Sequence, residues 1–461
     1  MTITISGQDL IDAGLRQGRW FKPALEAANS AIAQGESFNA ALAIAAGFAP
    51  PPALALRTPG ALPFFVNIEA ETPEEEANVE AVKKTMTELL RTPVVTAGAI
   101  MPDACPSGPG SIPVGGVVSS TGIHPGFHSA DICCSMAITV VPGVSPAALL
   151  DAVHKVTHFG PGGRERGKQI RMSDSLLSSF DGNEFLKDLV SVAREHYGTQ
   201  GDGNHFTYVG QLKSTGETAL VTHHGSRAPG AKLYAKGMKL AESTRRRVSP
   251  ETLASNAWIE ADTREGEAYF DALQILRRWT KGSHYAIHDL ALSLLGVSAG
   301  DRWWNEHNFV FRKTDGQFYH AKGATPAFKG YADDDIGLTM IPLNMGQPVL
   351  IVRGSDAAHG LGFSPHGAGR NLSRTAHKRT MGDRPVEDIV AEETRGLDCR
   401  FFCGRPDISE LPSAYKSAAS VRRQIEHFGL AEVVDEVLPY GSIMAGDWEA
   451  DAPWRRRKRA A

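Results

Sequence analysis

Gly203-Asn204-His205-Phe206-Thr207-Tyr208-Val209-Gly210-Gln211-Leu212 and then Ala219-Leu220-Val221-Thr222-His223-His224-Gly225-Ser226-Arg227 decide the fold class. Each is a run rich in β-branched, aromatic and other apolar residues, entered or left through glycine, so strands are expected over 207–212 and 219–222. A helical pattern follows over 231–247. Outward from this core, 94–101, 136–141 and 349–352 read as further strands, and 146–156, 183–196 and 265–295 as helices. Strands and helices do not alternate regularly. An α+β domain of mixed sheets with surrounding helices is therefore expected, not a doubly wound parallel sheet.

With 461 residues there is room for two or three average domains, or for one large domain with an appendage. Positions 1–60 read as a small helical unit, with Leu10, Leu15, Trp20, Phe21 and Leu25 on a partly apolar face and Pro50-Pro51-Pro52 closing it. Positions 61–90 hold a linker and a helix opened by Thr72-Pro73-Glu74, a cap, a first-position proline and an acid. The main domain is expected over 91–447. Positions 448–461 carry Arg455, Arg456, Arg457, Lys458 and Arg459 and read as a basic flexible tail.

Basic and acidic residues nearly cancel, 48 against 52, for a formal charge of −4. Any nucleic-acid contact must then come from a local basic groove, not from a global field. Five cysteines, two of them adjacent, make no disulfide framework, and a cytoplasmic location is expected. Met1-Thr2-Ile3-Thr4 does not open a signal peptide, and the apolar stretch 40–56 is too short and too proline-broken to cross a bilayer. A soluble protein without a membrane partner is expected.

Five short segments carry chemistry. Asp131 and Cys134 are three apart, and a thiolate that bridges two cations beside a carboxylate suits manganese, zinc or iron. Buried inert thiols are the plainer alternative. In the glycine-dense approach to Asn204-His205, the imidazole can ligate a metal while the amide binds phosphate; a hairpin with a satisfied histidine is as good a reading. His223, followed by Ser226 and Arg227, offers a metal ligand beside an anion seat. His307-Asn308 follows Trp303-Trp304 and is either a ligand or a core histidine. His366 sits before Gly367-Ala368-Gly369-Arg370, a permissive backbone. Its imidazole can attack an α-phosphate and hold the nucleotide as a phosphoramidate, with Arg370 neutralising charge. His284 and His288 have helical ligand spacing but no third ligand nearby, so they read as a helix face. Cys399 and Cys403 read as buried thiols.

Taken in order, Asp131-Ile132-Cys133-Cys134, Gly203-Asn204-His205-Phe206, His223-His224-Gly225-Ser226-Arg227, His307-Asn308-Phe309, Lys322-Gly323-Ala324-Thr325-Pro326-Ala327 and His366-Gly367-Ala368-Gly369-Arg370 resemble the RtcB family of RNA-splicing ligases. Met101-Pro102-Asp103, Ile112-Pro113-Val114-Gly115-Gly116 and Pro412-Ser413-Ala414-Tyr415-Lys416 extend the resemblance over about 90–447. It implies a GTP-dependent ligase that joins RNA 3′-phosphate or 2′,3′-cyclic phosphate ends to 5′-hydroxyl ends through GMP on a histidine. By position, His366 would carry the GMP. Cys134, His223 and His307 would hold one Mn²⁺, and Asp131, Cys134 and His205 the other. Asn204, Gly367, Ala368, Gly369, Arg370, Asn344 and Tyr415 would bind the nucleotide; Arg227, Asn308 and Lys322 would contact RNA phosphate.

The sequence departs from the family pattern in places. Cys105 stands where the family has histidine, and Tyr208 where it has a glutamate that reads guanine. Pro342-Leu343-Asn344-Met345-Gly346 replaces Pro-Gly-Ser-Met-Gly, and the closing Lys-Gly is replaced around Met444-Ala445-Gly446. A divergent branch that repairs cleaved tRNA or rRNA is expected, with a translation-rescue or repair protein as partner. The rival readings are a metal-dependent RNA-end phosphatase, nuclease or nucleotidyltransferase without joining activity, and a non-catalytic RNA-end binder.

Overall fold

The structure is a computed structural model that describes residues 4–49, 51–108 and 110–448. The arginine-rich run expected as a tail lies outside the described residues, as does Pro50. The chain divides into two units, Met1–Ala55 with Arg247–Pro250, and Leu56–Arg246 with Glu251–Ala461. No helix among the described residues is long and apolar enough to cross a membrane.

The first unit holds helices Gly7–Asp12, Phe21–Ala33 and Phe38–Ala46. Ser6 opens the first with a reciprocal capping box to Asp9, and Ser37 caps the third. Leu10, Phe21, Ala24, Ala28, Ala41 and Ala45 form its core, and the alanines let the helices approach closely. Of the apolar face read from the sequence, Leu10 and Phe21 are buried, whereas Leu15, Trp20 and Leu25 pack only at its margin.

The second unit is α+β, built on two sheets. The larger runs in the order Leu338–Pro342, Val349–Gly354, Ala431–Met444, Phe206–Leu212, Thr218–His224, Ser135–Val141, Arg302–Glu306, every neighbour antiparallel. Asp398–Phe401 adds a parallel pairing to the end of Ala431–Met444. The smaller sheet runs Phe65–Val66, Val95–Cys105, Val114–Ser120, Phe318–Lys322, Asn308–Arg312. A two-stranded ribbon, Ala324–Pro326 with Phe363–Pro365, stands apart from both.

Both faces of the larger sheet are covered, which is why its strands read as nearly continuous apolar runs. Val209, Leu220 and Ile443 face Leu149, Leu150, Ile287 and Ala291 of helices Pro146–Val156 and Arg264–Leu295. Met136, Tyr208 and Val221 point to the opposite face. Thr263 caps helix Arg264–Leu295, and Gly296 ends it in the left-handed conformation. The helix expected over 183–196 is broken. Asn183 closes a separate helix, Asp174–Gly182, started by Ser173, and only Val190–His196 is helical after a short 3₁₀ turn. The serine cap was the overlooked start signal. Cys399 and Cys403 are half-buried, a correction to their reading as buried thiols.

Candidate metal and nucleotide site

Antiparallel register builds the site. Ser135 pairs with both His224 and Glu306, and Phe206 with His223, so four adjacent strands start or end at one edge of the larger sheet. Cys134, His205, His223 and His307 stand at or beside those ends. Two backbone bonds carry the ladder one step further, from His307 N–H to Cys134 O at 2.9 Å and from Cys133 N–H to Asn308 O at 2.7 Å. Period-two alternation then sorts the paired histidines. His223 joins the cluster, while His224 stacks on His284 with ring centroids 3.5 Å apart.

His284 and His288 do form one helix face, but a buried one. Both rings bond Thr222 Oγ1, at 2.7 and 2.8 Å, and they also reach Ser135 Oγ and Thr139 Oγ1. They brace the strands that carry Cys134 and His223 and hold no ligand position. Burial keeps both far below the usual histidine range, hence neutral.

The donor atoms converge in two overlapping groups, Cys134 with His223 and His307, and Asp131 with Cys134 and His205. Cys134 Sγ lies 3.2 Å from His223 Nε2 and 3.5 Å from His205 Nε2. His205 Nε2 is 3.2 Å from Asp131 Oδ2. Each ring is oriented from behind: Nδ1–H of His205 donates to Gln200 O at 2.7 Å, and Nδ1–H of His223 to Asn204 O at 3.0 Å. A carbonyl only accepts, so in the neutral ring each Nε2 keeps its lone pair for the cluster. Burial holds His223 down to about 3, so this ring is neutral.

These residues fit a pair of divalent cations. His223 Nε2 and His307 Nε2 lie 3.1 Å apart, and the buried Nδ1 of His307 has no hydrogen-bond partner among the described residues. Two ring lone pairs and a sulfur facing one another repel unless a proton or a cation lies between them. Burial and then the Asp131 carboxylate push the Cys134 thiol well above its ordinary range. A coordinated cation would draw off that proton. Sulfur, nitrogen and carboxylate oxygen together suit manganese, zinc or iron.

His366 follows the ribbon strand Phe363–Pro365, with its ring centroid 4.7 Å from that of His307. Asp103, fully buried in Val95–Cys105, takes its Nδ1–H at 2.6 Å and its backbone N–H at 3.2 Å on the same oxygen. The histidine therefore offers Nε2 as its free lone pair. Sequence reading quoted Met101-Pro102-Asp103 but gave the aspartate no task; its partner is 263 positions away. Gly369 makes the close approach possible. Its φ is +72°, and a Cβ there would stand 2.1 Å from Asp103 O. Gly369→Ala is expected to destabilise the protein by about 1–3 kcal/mol, seen as a lower urea midpoint with unchanged slope.

Two cavities meet at this cluster. One, of about 760 Å³, is lined by Asn204, His223, His366 to Arg370, Asn344 and Tyr415. That volume is in the range of small-molecule sites. The other, of about 650 Å³, is lined by Asp131, His205, Arg227, Arg374 and Lys378. Asn204, Arg374 and Thr375 line both.

Three residues expected at the nucleotide or at RNA phosphate also hold partners within the protein. Arg370 stacks on Tyr415 and bonds Ser409 O and Glu410. Asn308 holds Asp131 O and Gly323 N–H. Lys322 bonds Ser107 Oγ and Ile112 O, and burial brings it down to about 8. Of these three only Arg370 lines either cavity.

Fold and donor set define an α+β protein with a candidate dinuclear metal centre beside a carboxylate-held histidine. Comparison with known proteins places it further. The family model for tRNA-splicing ligase RtcB matches residues 164–445, more than half of the chain. The chain belongs to the RtcB family. It is 27% identical over 284 residues to the tRNA-splicing ligase RtcB of Thermococcus kodakarensis, covering 53% of this chain and 58% of that protein. With its counterpart in Pyrococcus furiosus the identity is 26% over 287 residues, covering 53% and 29%. With that of Nanoarchaeum equitans it is 23% over 432 residues, covering 76% and 88%. The chain thus spans less than two thirds of the first two relatives. Asp103, Asp131 and Cys134 precede the segment matched by the family model, yet the fold delivers them to it.

Proposed function

We propose that this chain is an RNA ligase that joins 3′-phosphate or 2′,3′-cyclic phosphate ends to 5′-hydroxyl ends, with GTP as co-substrate and two Mn²⁺, in the repair of cleaved RNA. The observation that carries the reading is His366 beside the Cys134–His223–His307 group, with Asp103 on its far nitrogen. Cations held by Asp131, Cys134, His205, His223 and His307 would supply Lewis-acid charge to phosphate oxygens.

His366 Nε2 forms the N–P bond to the α-phosphorus, the α–β anhydride bond breaks, and pyrophosphate leaves. Positive charge that grows on the ring is matched by Asp103. Where the RNA end is a 2′,3′-cyclic phosphate, water first opens the P–O2′ bond to leave a 2′-hydroxyl and a 3′-phosphate. An oxygen of the RNA 3′-phosphate then takes the nucleotidyl group from His366. Attack by the 5′-hydroxyl on that activated phosphate forms the new phosphodiester, releases GMP and gives up the hydroxyl proton. Asn204 and Arg374 line both cavities, which supports a phosphate-binding role for them in each step, Arg374 through the nitrogens not bonded to Glu410. Arg227 lines the second cavity and would meet a phosphate of an RNA end beside the cations, whereas Lys378 is already paired with Asp407 and Asp447.

Incubation with α-³²P-GTP and Mn²⁺ should label the protein in an acid-labile form, and His366→Ala should show none of it. A second assay with 3′-phosphate and 5′-hydroxyl RNA should yield joined product. Full labelling of His366→Ala would remove the histidine from the reaction. Phosphate release without joined RNA would make the protein an end-processing phosphatase.

A further inference from the structure

We propose that the nucleotide cavity does not select guanine, and that ATP serves His366 about as well as GTP. The inference rests on the nucleotidyl-transfer reading of His366 and concerns the base alone.

The cavity wall drawn from the larger sheet is apolar: Phe206, Leu343, Met345, Val349 and Met444 line it, with the ring of Tyr208. A wall of this kind stacks on any base face and reads none, because every base has a π-surface. Telling guanine from adenine takes more. Guanine presents N1–H and a 2-amino group as donors, whereas adenine presents N1 as an acceptor. A guanine-selective site therefore needs a free acceptor pair, most simply a carboxylate.

Among the described residues the one carboxylate lining this cavity is Glu410, and it is occupied. Its Oε2 takes the Tyr415 hydroxyl at 2.6 Å and an Arg370 N–H, and its Oε1 takes Arg374 Nε–H at 2.6 Å. The Tyr208 hydroxyl has its single proton committed to the backbone, with Val437 O at 2.9 Å and Gln347 O at 3.2 Å as the acceptors in reach. Asn344 Oδ1 accepts from Gly346 N–H at 2.9 Å, which leaves its amide nitrogen as a donor. Ser442 Oγ donates to Cys399 Sγ at 3.6 Å, so toward the cavity it can only accept, and the exocyclic amino group of either purine can meet it. Where a site is built to hydrogen-bond one group, the analogue lacking it is rejected by about 10,000-fold or more. Asn371 Oδ1 has no partner among the described residues but is buried out of reach of a base, and an apolar slot with one accepting hydroxyl has no such lever over two purines of nearly equal size.

The test labels the full chain with α-³²P-GTP and α-³²P-ATP at equal subsaturating concentration with Mn²⁺ and compares initial rates. The expected ratio of GTP to ATP is below tenfold, and a ratio above tenfold overturns the proposal. Tyr208→Phe should leave the ratio unchanged within about threefold. A larger change would mean that the hydroxyl reads the base, which also overturns it. The ratio is taken within one preparation, so partial unfolding of the variant cannot imitate either outcome.

Displacement of a fluorescent GTP analogue by unlabelled ATP and GTP reads the same pocket without chemistry. Equal displacement to within tenfold supports the inference even if no nucleotide labels the protein, a result that would sink the His366 reading alone. Tenfold or greater preference for GTP in displacement sinks the inference and leaves that reading intact.

Discussion

Asp103→Asn is expected to slow nucleotide labelling of the protein by about 1,000–10,000-fold, the loss seen when the carboxylate behind a catalytic imidazole becomes an amide. The reason is local. A single Asp103 oxygen takes both His366 Nδ1–H and the His366 backbone N–H, and the other oxygen has no partner among the described residues. In the amide one oxygen becomes NH₂. If that group faces Nδ1, it donates, the ring proton moves to Nε2, and the nucleophilic lone pair is gone. If it faces away, the ring geometry survives, but the negative charge that balances the growing imidazolium does not. Either placement slows N–P bond formation and leaves nucleotide binding nearly untouched. Single-turnover labelling across a range of GTP concentrations separates the two effects: the maximal rate should fall and the half-saturating concentration should move by less than about threefold. A maximal rate within tenfold of the unaltered protein would relegate Asp103 to a structural bond. A large rise in half-saturating concentration at an unchanged rate would assign it to nucleotide binding instead.

That carboxylate also marks the limit of what residue order alone can reveal. Cys134, His205, His223 and His307 were legible because each stands in a short run whose neighbours are glycine, serine or asparagine, an odd setting for a core residue. The strands that bring them together were partly legible too: 207–212 and 136–141 lie within one residue of Phe206–Leu212 and Ser135–Val141. Asp103 gave no such signal, because an isolated acid in an apolar strand looks the same whether it orients a histidine or caps a turn. Arg302–Glu306, Asn308–Arg312 and Phe318–Lys322 went unread for a different reason. They are five residues each, and their aromatic and charged side chains show no clear alternation. Asn308, Lys322 and Arg370 show a different limit: their hydrogen bonds to Asp131 O and Gly323 N–H, to Ser107 Oγ and Ile112 O, and to Ser409 O and Glu410 come from partners that only the tertiary fold supplies.

Cys134→Ala should abolish both cation positions at once, which no other single ligand exchange can do, because Cys134 alone belongs to both groups. Its magnitude has a floor. Losing a residue that merely orients a ligand lowers metal affinity by about 10–100-fold, so losing the shared ligand should exceed about 100-fold. Metal analysis after dialysis should return less than one bound ion per chain, and Mn²⁺ titration followed by electron paramagnetic resonance should show no tight phase. His205→Ala should remove only the group that contains Asp131, and His307→Ala only the other, so each should keep about one ion. Cys133→Ala supplies the control for a general effect of thiol loss. Cys133 is fully buried in the main core cluster and belongs to neither ligand group. Its replacement removes one buried sulfur, a change of about 1 kcal/mol in stability, and should leave metal content intact. Two tight ions retained by Cys134→Ala would dissolve the shared-ligand arrangement. One ion lost in Cys133→Ala would mean that the adjacent thiols had been assigned to the wrong sides of the strand.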